Sequence, residues 1–510
     1  MCGSNAWEKP RRNANSCRCN VNIFWLRTRN SKLRLKGFLK RGRSPASLPA
    51  LTADNEDTPG VLSLIQSLTA TDWDTTIANH HYSQGQIAGS LALLLDCRGS
   101  LRGAALAMGF INRLLGGEQE VPSPTTVRSW LLRVGLHQLE RPLEQADDWV
   151  WIVDHTVQMG ELKGMIIVGF RLSAWQQQED RRLTYADVEL IGLWPVRTST
   201  GEVVDGQLES AMARTGLPRL VISDDGRDLH RGLSLFQERH SGVVWIYDIK
   251  HKTASLLKRE LEGNAEWTAF AARANQMKRQ VHQTELAFCT PPQQRGKARY
   301  MNVDTLVAWG VKTLQWLDDP RPTGRDLDPE RTEKKLGWLR DYRQPLACWE
   351  QAMQVIETAE TLVRREGYHA QSEAQLREQL PAVEANSLAA RLRQQLLEFM
   401  REQALHASQH ERLPGSSEVL ESIIGKYKTL QGEQGQFGVT SMLLAIGAMV
   451  GRLTLGGIRT ALQTISGKAL KTWEAANLGS TIQSQRKKAF SKSTPGTKTG
   501  TSELILTPAN

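Results

Sequence analysis

The chain has 510 residues, several times the usual size of one domain, and is 40% hydrophobic and 23% charged. That composition fits folded domains and excludes a largely disordered polypeptide. No apolar run reaches the roughly 20 residues a membrane-spanning helix needs, and the longest, residues 439–450, is interrupted by Gly447 and stopped by Gly451 and Arg452. The basic N-terminus is not followed by a long apolar segment, so neither a secretory signal nor a membrane partner is expected. The net charge of +10 is unevenly spread: the first 48 residues hold twelve Lys/Arg against one acid, Glu8, which leaves the rest near neutrality. A nucleic-acid site in the body must therefore come from local patches. The six cysteines lie at 2, 17, 19, 97, 289 and 348, and only Cys17 and Cys19 are close. No second pair completes a zinc knuckle, so a reduced, cytoplasmic chain is expected.

In chain order, residues 1–60 form a basic leader without helical or strand period, expected to be disordered. It reads equally as a nucleic-acid-binding arm or as upstream sequence from a misassigned start codon. Residues 61–145 are helical, with helices predicted over 86–97 and 101–115. A third follows Pro122, with Ser123 as N-cap and Pro124 at the first helical position. Val127, Trp130, Leu131 and Val134 recur at i, i+3, i+4 and i+7, giving one buried face. Thr125, Thr126, Arg128 and Arg133 would then face outward, and the pair of helices resembles a helix-turn-helix that reads DNA. An ordinary helical hairpin has the same pattern.

After Glu140 the period becomes strand-like. Strands are predicted over 149–153 (ending in Asp154), 163–172, 187–196, 220–222 (ending in Ser223, Asp224, Asp225) and 243–247 (ending in Asp248). Helices follow the fourth strand, through Leu229, Leu233 and Phe236, and the fifth, around 255–261. The result is a mixed α/β sheet over 146–261. Residues 262–412 are helical and rich in Gln, Glu, Arg, Leu and Ala. Pro414 and Gly415 end that region, a helix begins near Glu418 within 413–483, and 484–510 is a Ser/Thr/Lys/Gly-rich tail expected to be disordered.

Two acids, Asp154 and Asp224, immediately follow buried strands. Reactive groups in open α/β sheets collect outside strand ends. Adjacent carboxylates there repel unless they share hard cations, and Mg²⁺ accepts a few carboxylates while keeping waters for phosphate. A single strand-terminal Asp is more often a cap or turn residue. Asp225 and Asp228 read as helix-start or turn residues, and Asp248 as a turn residue or auxiliary acid. His80 and His81 read as surface. His251 reads as a solvated helix start, with a phosphate contact near the carboxylates as the alternative.

These residues, in this order, resemble the ribonuclease-H-like core of DDE (Asp-Asp-Glu) insertion-sequence transposases of bacteria. In that class a Glu on a later helix, often after an inserted domain, completes the triad. Here the match is Glu421, with Lys428 seven residues on, two helical turns away on the same face; Glu418 is the competing acid, read as a helix-start residue favoured by the helix dipole. The Tyr and Arg that precede the Glu in one large group are absent. The resemblance implies that Asp154, Asp224 and Glu421 bind two Mg²⁺ ions, with Mn²⁺ able to substitute. It implies that Lys428 contacts a phosphate and that 61–145 binds the terminal inverted repeats of an element. Hydrolysis at element ends would precede attack of the freed 3′-hydroxyl on target double-stranded DNA. A homodimer on DNA, associated with the nucleoid, is implied as well. The alternatives are a nuclease or resolvase of the same fold that does not join strands, and a non-catalytic DNA-binding regulator derived from a transposase.

Overall fold

Three helices precede the sheet in a computed structural model that describes residues 75–114, 120–155, 162–293, 299–320, 327–432, 440–480 and 482–491. The leader 1–60 and all of the expected tail beyond 491 lie outside the described residues. Helix α1 (Gln84–Leu95) starts in a capping box formed by Ser83 and Gln86. Helix α2 (Leu101–Leu114) is followed by α3 (Pro124–Glu140), whose Ser123 cap accepts from the Thr126 N–H, with Pro124 at its start. Val127, Trp130, Leu131 and Val134 are buried as the period predicts, but Leu132, Gly135 and Leu136 are buried too.

The sheet follows. Its strands are β1 (Trp149–His155), β2 (Lys163–Arg171), β3 (Glu189–Val196), β4 (Leu220–Ser223) and β5 (Val244–Tyr247). Their order is β3-β2-β1-β4-β5. β2 is antiparallel to both β1 and β3, whereas β4 runs parallel to both β1 and β5. The expected short turn between β2 and β3 is instead residues 172–188, which begin with a short helix (Leu172–Gln177); the parallel part needs crossovers. The first is α4 (Gly201–Thr215), capped by Thr200 through the Val203 N–H. Its apolar stripe is narrow, with Val204, Leu208 and Ala211 packed in the core beneath the sheet, so the sequence pattern does not single it out. The second crossover is α5 (Arg227–Arg239). The helix after β5, α6 (Ile249–Leu261), begins directly at Asp248, six residues earlier than predicted.

Side chains alternate across the sheet, which decides what lies on each face. Trp149, Trp151 and Val153 of β1, with Val221 of β4, pack under α4 and α5. Val150 and Ile152, with Leu220, Ile222 and Ile246, face the larger helical core instead. That core includes α7 (Ala265–Val281), α8 (Val303–Asp318), α9 (Arg343–Glu366) and α10 (Leu388–Ala404), the expected helical region after 262. Phe270, fully buried, is its aromatic centre, ringed by Trp267, Trp309, Trp338, Tyr342 and Trp349 at centroid distances of 5.1–6.4 Å.

Helix α11 (Glu418–Gly432) returns the chain to the sheet. Helices α12 (Ala445–Met449), α13 (Leu455–Thr464) and α14 (Gly467–Asn477) then cover α3. A Cβ on Gly135 would sit 1.8 Å from the Leu444 carbonyl oxygen, and one on Gly447 would sit 2.5 Å from that of Gly135. Backbone therefore meets backbone where α3 crosses residues 444–447, and only glycine permits it. A last helix, α15 (Ile482–Phe490), occupies part of the stretch expected to be a disordered tail. Among the described residues no helix is long and apolar enough to cross a membrane.

Candidate active site

Parity along three adjacent strands builds the site. Val153 of β1 pairs with Ser223 of β4, and Ser223 pairs with Tyr247 of β5. One residue further along each chain stand Asp154, Asp224 and Asp248. Each shares the parity of the residues facing the larger core: Ile152, Ile222 and Ile246. Three acids thus emerge in a row, on the sheet face that α6 and α11 cover.

Asp154 is half-buried as a residue, but its carboxyl sits deep among protein atoms and is pushed up to about 7. Loss of water is the main cause and the neighbouring Asp224 charge the next; Glu421 adds to it, while His251 and the His155 N–H, 2.6 Å from Oδ1, oppose it. Asp224 is half-buried, and its Oδ1 accepts from the Gly226 N–H at 3.1 Å. Glu421 arrives in the first turn of α11. Its Oε2 is 3.6 Å from Lys250 Nζ, and its Oε1 is 4.0 Å from His251 Nδ1. Glu421 Oε1 is itself buried and has no hydrogen-bond partner.

Asp248 is fully buried and caps α6. Its Oδ1 accepts from the His251 N–H at 2.8 Å and stands 3.0 Å from His251 Nδ1. Its Oδ2 accepts from the Ser417 N–H at 2.6 Å, across 169 residues of chain. Burial works against an ionised Asp248, but these hydrogen bonds and the His251 charge hold its carboxyl below the usual range. His251 responds in kind. Burial alone would lower it, yet its bond to Asp248, with the charges of Asp248, Asp224 and Glu421, raises it to about 9. Asp248, His251 and Glu421 each present a donor atom within 4.8 Å of the others. The sequence signal for His251 was its place three residues after a strand-terminal acid. The reading of it as a solvated helix start is corrected, since it joins the carboxylate cluster.

The two candidate acids of α11 are separated by their partners. Glu418 is taken by Arg364 of α9 in a two-point pair at 2.6 and 2.8 Å. Glu421 instead faces Lys250, His251 and the strand-end carboxylates. Lys428, two turns on, is exposed. Asp225 is exposed and paired with His230 at 2.6 Å. Asp228 lies in the first turn of α5, bonded to Lys163 at 2.8 Å on the opposite side of β1 from the row of acids.

The expected outward face of α3 is corrected. Arg133 donates to the carbonyls of Leu462 and Ile465, and Arg128 donates to Ser441 Oγ at 2.5 Å. Their guanidinium groups fasten the C-terminal helices to α3 and do not project into solvent. The apolar arc of α3 is wider than one stripe, and the helices that cover it come from more than 300 residues away. His80, read as a surface residue, stands 3.3 Å from Arg133, which with burial holds its imidazole below the ordinary value. Thr125 remains exposed, whereas Thr126 is half-buried.

No protein-family model matches this chain, and no curated protein matches it in sequence. Among solved structures, the chain is similar to one described as the Drosophila P element transposase strand transfer complex. The similarity has 10% identity and a TM-score of 0.36, and covers 79% of this chain and 98% of the other.

Proposed function

We propose that the protein is a DNA transposase whose catalytic carboxylates are Asp154, Asp224 and Glu421. The observation that carries this reading is their convergence. Two acids end adjacent parallel strands, and a third is delivered to the same sheet face by a helix nearly 200 residues later. The strand order β3-β2-β1-β4-β5, with one acid near the end of β1 and another just after β4, supports a ribonuclease-H-like core.

The donor set fits hard divalent cations. It offers carboxylate oxygens at the close spacing of neighbouring strands, a carboxyl at Asp154 that like charge and burial disfavour as an anion, and an orphaned buried oxygen on Glu421. Asp154, Asp224 and Glu421 would together hold two Mg²⁺ ions. Bound there, the ions would supply charge for the attacking and leaving oxygens of a phosphodiester. The chain's own residues do the rest. The carboxylates would hold the cations, α6 and α11 keep Glu421 in place, and Lys428 on the exposed flank of α11 contacts a phosphate of the DNA. Double-stranded DNA is the substrate, and two copies of the chain hold the two element ends.

The test is cleavage of DNA carrying the element ends in Mg²⁺, followed by joining to a target plasmid. Cleavage with joining is the expected result. Cleavage without joining would favour a nuclease or resolvase, and binding without either would favour the regulator.

A further inference from the structure

The chain beyond residue 48 is near electrical neutrality, but its last described helix is not. Helix α15, nine residues long, carries Arg486, Lys487 and Lys488 in succession and no acid. Every side chain from Gln485 to Ser491 is exposed, Phe490 to 82%. Among the described residues no carboxylate pairs with any of the three cations. Nine residues is below the roughly 12–15 at which an isolated helix becomes marginally stable in water, and no packed face supports this one. What would hold it is a partner, and three cations without counter-charge specify a polyanionic one.

The place where α15 leaves the fold narrows the choice. Helix α14 packs against β3 and is anchored by the buried Leu478. The chain then turns at Gly479 (φ 63°), where a Cβ would lie 3.6 Å from a guanidinium nitrogen of Arg197. Arg197 directly follows β3, which runs in the same direction as β1, since both are antiparallel to β2. Asp154 is level with Ile166 of β2, and Ile166 with Leu193 of β3. Arg197 is therefore two strands, roughly 10 Å, to the side of Asp154 and four residues, about 13 Å, further along. Helix α15 starts three residues after Gly479, within about 10 Å of it. It thus leaves the fold at the sheet end that carries Asp154, Asp224 and Asp248.

We propose that α15 is a second contact for the duplex held at the carboxylates, gripping its phosphate backbone through Arg486, Lys487 and Lys488. The inference rests on the transposase reading and adds to it a DNA-binding surface outside the acid cluster. A duplex presents one phosphate charge per about 1.7 Å of axis, so DNA running from the carboxylates to Arg197 carries on the order of ten. Contacts of this kind position DNA without reading its sequence. The acid cluster cannot supply them, because its own cations, Lys250 and His251, are engaged with Glu421 and Asp248. An anionic membrane is the competing polyanion. A helix that lies on a bilayer buries a broad apolar face, however, and the only large apolar side chain among those described on α15 is Phe490.

The experiment uses the full chain and a duplex of arbitrary sequence, with affinity titrated across salt concentrations in the absence of divalent ions. Arg486→Gln, Lys487→Gln and Lys488→Gln, combined in one variant, should lower the slope of log affinity against log salt by about 2–3, at roughly 0.9 per lost phosphate contact. Binding at low salt should weaken about 10–100-fold, and the melting temperature should stay at the wild-type value. Arg486→Lys, which keeps the charge, should leave slope and affinity unchanged. An unchanged slope in the triple variant overturns the inference; Mg²⁺-dependent cleavage of element-end DNA by wild type, lost in Asp154→Asn, would then leave the transposase reading standing. A reduced slope without such cleavage keeps the phosphate contact and removes the transposase reading. Wild type that binds no duplex overturns both. Unchanged duplex binding with lost binding to phosphatidylserine vesicles gives the helix to a membrane and overturns the inference. If the triple variant does not fold, a benzophenone side chain in place of Phe490 in the otherwise wild-type chain decides: it must cross-link to the duplex under ultraviolet light, and its failure to do so overturns the contact.

Discussion

The Asp248 carboxylate accepts the Ser417 N–H at 2.6 Å, so the residue that ends β5 caps the helix that carries Glu421. The contact is reinforced by the Ile249 N–H, which donates to the Gly415 carbonyl at 3.0 Å. One buried acid therefore sets two helix starts, α6 through His251 and α11 through Ser417. Asp248→Ala should leave both N–H groups buried without an acceptor, at about 1–3 kcal/mol each. Chemical denaturation should show the loss, and Mg²⁺-dependent cleavage should fall even though Asp154, Asp224 and Glu421 are intact. Unchanged stability would mean the latch contributes nothing.

Asp154→Asn should separate function from stability. The carboxylate is largely removed from water beside Asp224, so its charge is costly in the metal-free fold. The variant should lose cleavage of element-end DNA by several orders of magnitude and keep end binding. Its melting temperature without divalent ions should equal or exceed that of wild type. Cleavage near the wild-type rate would remove Asp154 from the site.

Glu421→Gln and Glu418→Gln should diverge. The former should be inactive yet folded, because Glu421 Oε1 serves no internal hydrogen bond. The latter should retain activity and lose no more than about 1 kcal/mol, the scale of a partly exposed pair with Arg364. A cleavage assay in Mg²⁺ and a melting curve for each check both statements; reversed activities would hand the third carboxylate to Glu418.

Arg133→Ala should act on stability before it acts on DNA. The guanidinium holds the Leu462 and Ile465 carbonyls, so its loss should free α13 and cost about 2 kcal/mol. Limited proteolysis should then cut within 455–477 sooner than in wild type. The salt dependence of DNA binding should keep its slope, because no phosphate contact is removed. A flatter slope with unchanged proteolysis would restore an outward-facing Arg133.

Acid should weaken the fold through Asp228. Burial opposes its ionisation, but hydrogen bonds from Lys163 and Ser199 and the nearby charges bring it down to about 2. A carboxyl depressed in the fold contributes stability that is present above its unfolded value of 3.8 and lost as pH falls toward about 2. With allowance for its partial exposure, Asp228→Asn should cost about 1 kcal/mol at pH 7 and little at pH 2. Denaturation at the two pH values measures the difference.

Local physics determined much of this protein from sequence alone. Short continuous apolar runs, each followed by an acid at β1, β4 and β5, marked the sheet and two candidate carboxylates. Ser123 and Pro124 marked the start of α3, because capping depends only on residues that are neighbours in the chain. Seven-residue spacing set Glu421 and Lys428 on one helix face. The tertiary structure alone decided the rest. It gave Glu418 and Glu421 different surroundings, Arg364 for one and Lys250 and His251 for the other. It turned His251 from a helix-start residue into a member of the site, and it buried the polar face of α3 under helices from the far end of the chain. Each of these depends on pairings between residues 50 to more than 300 positions apart, and periodicity records which face of an element is apolar but not which distant segment covers it.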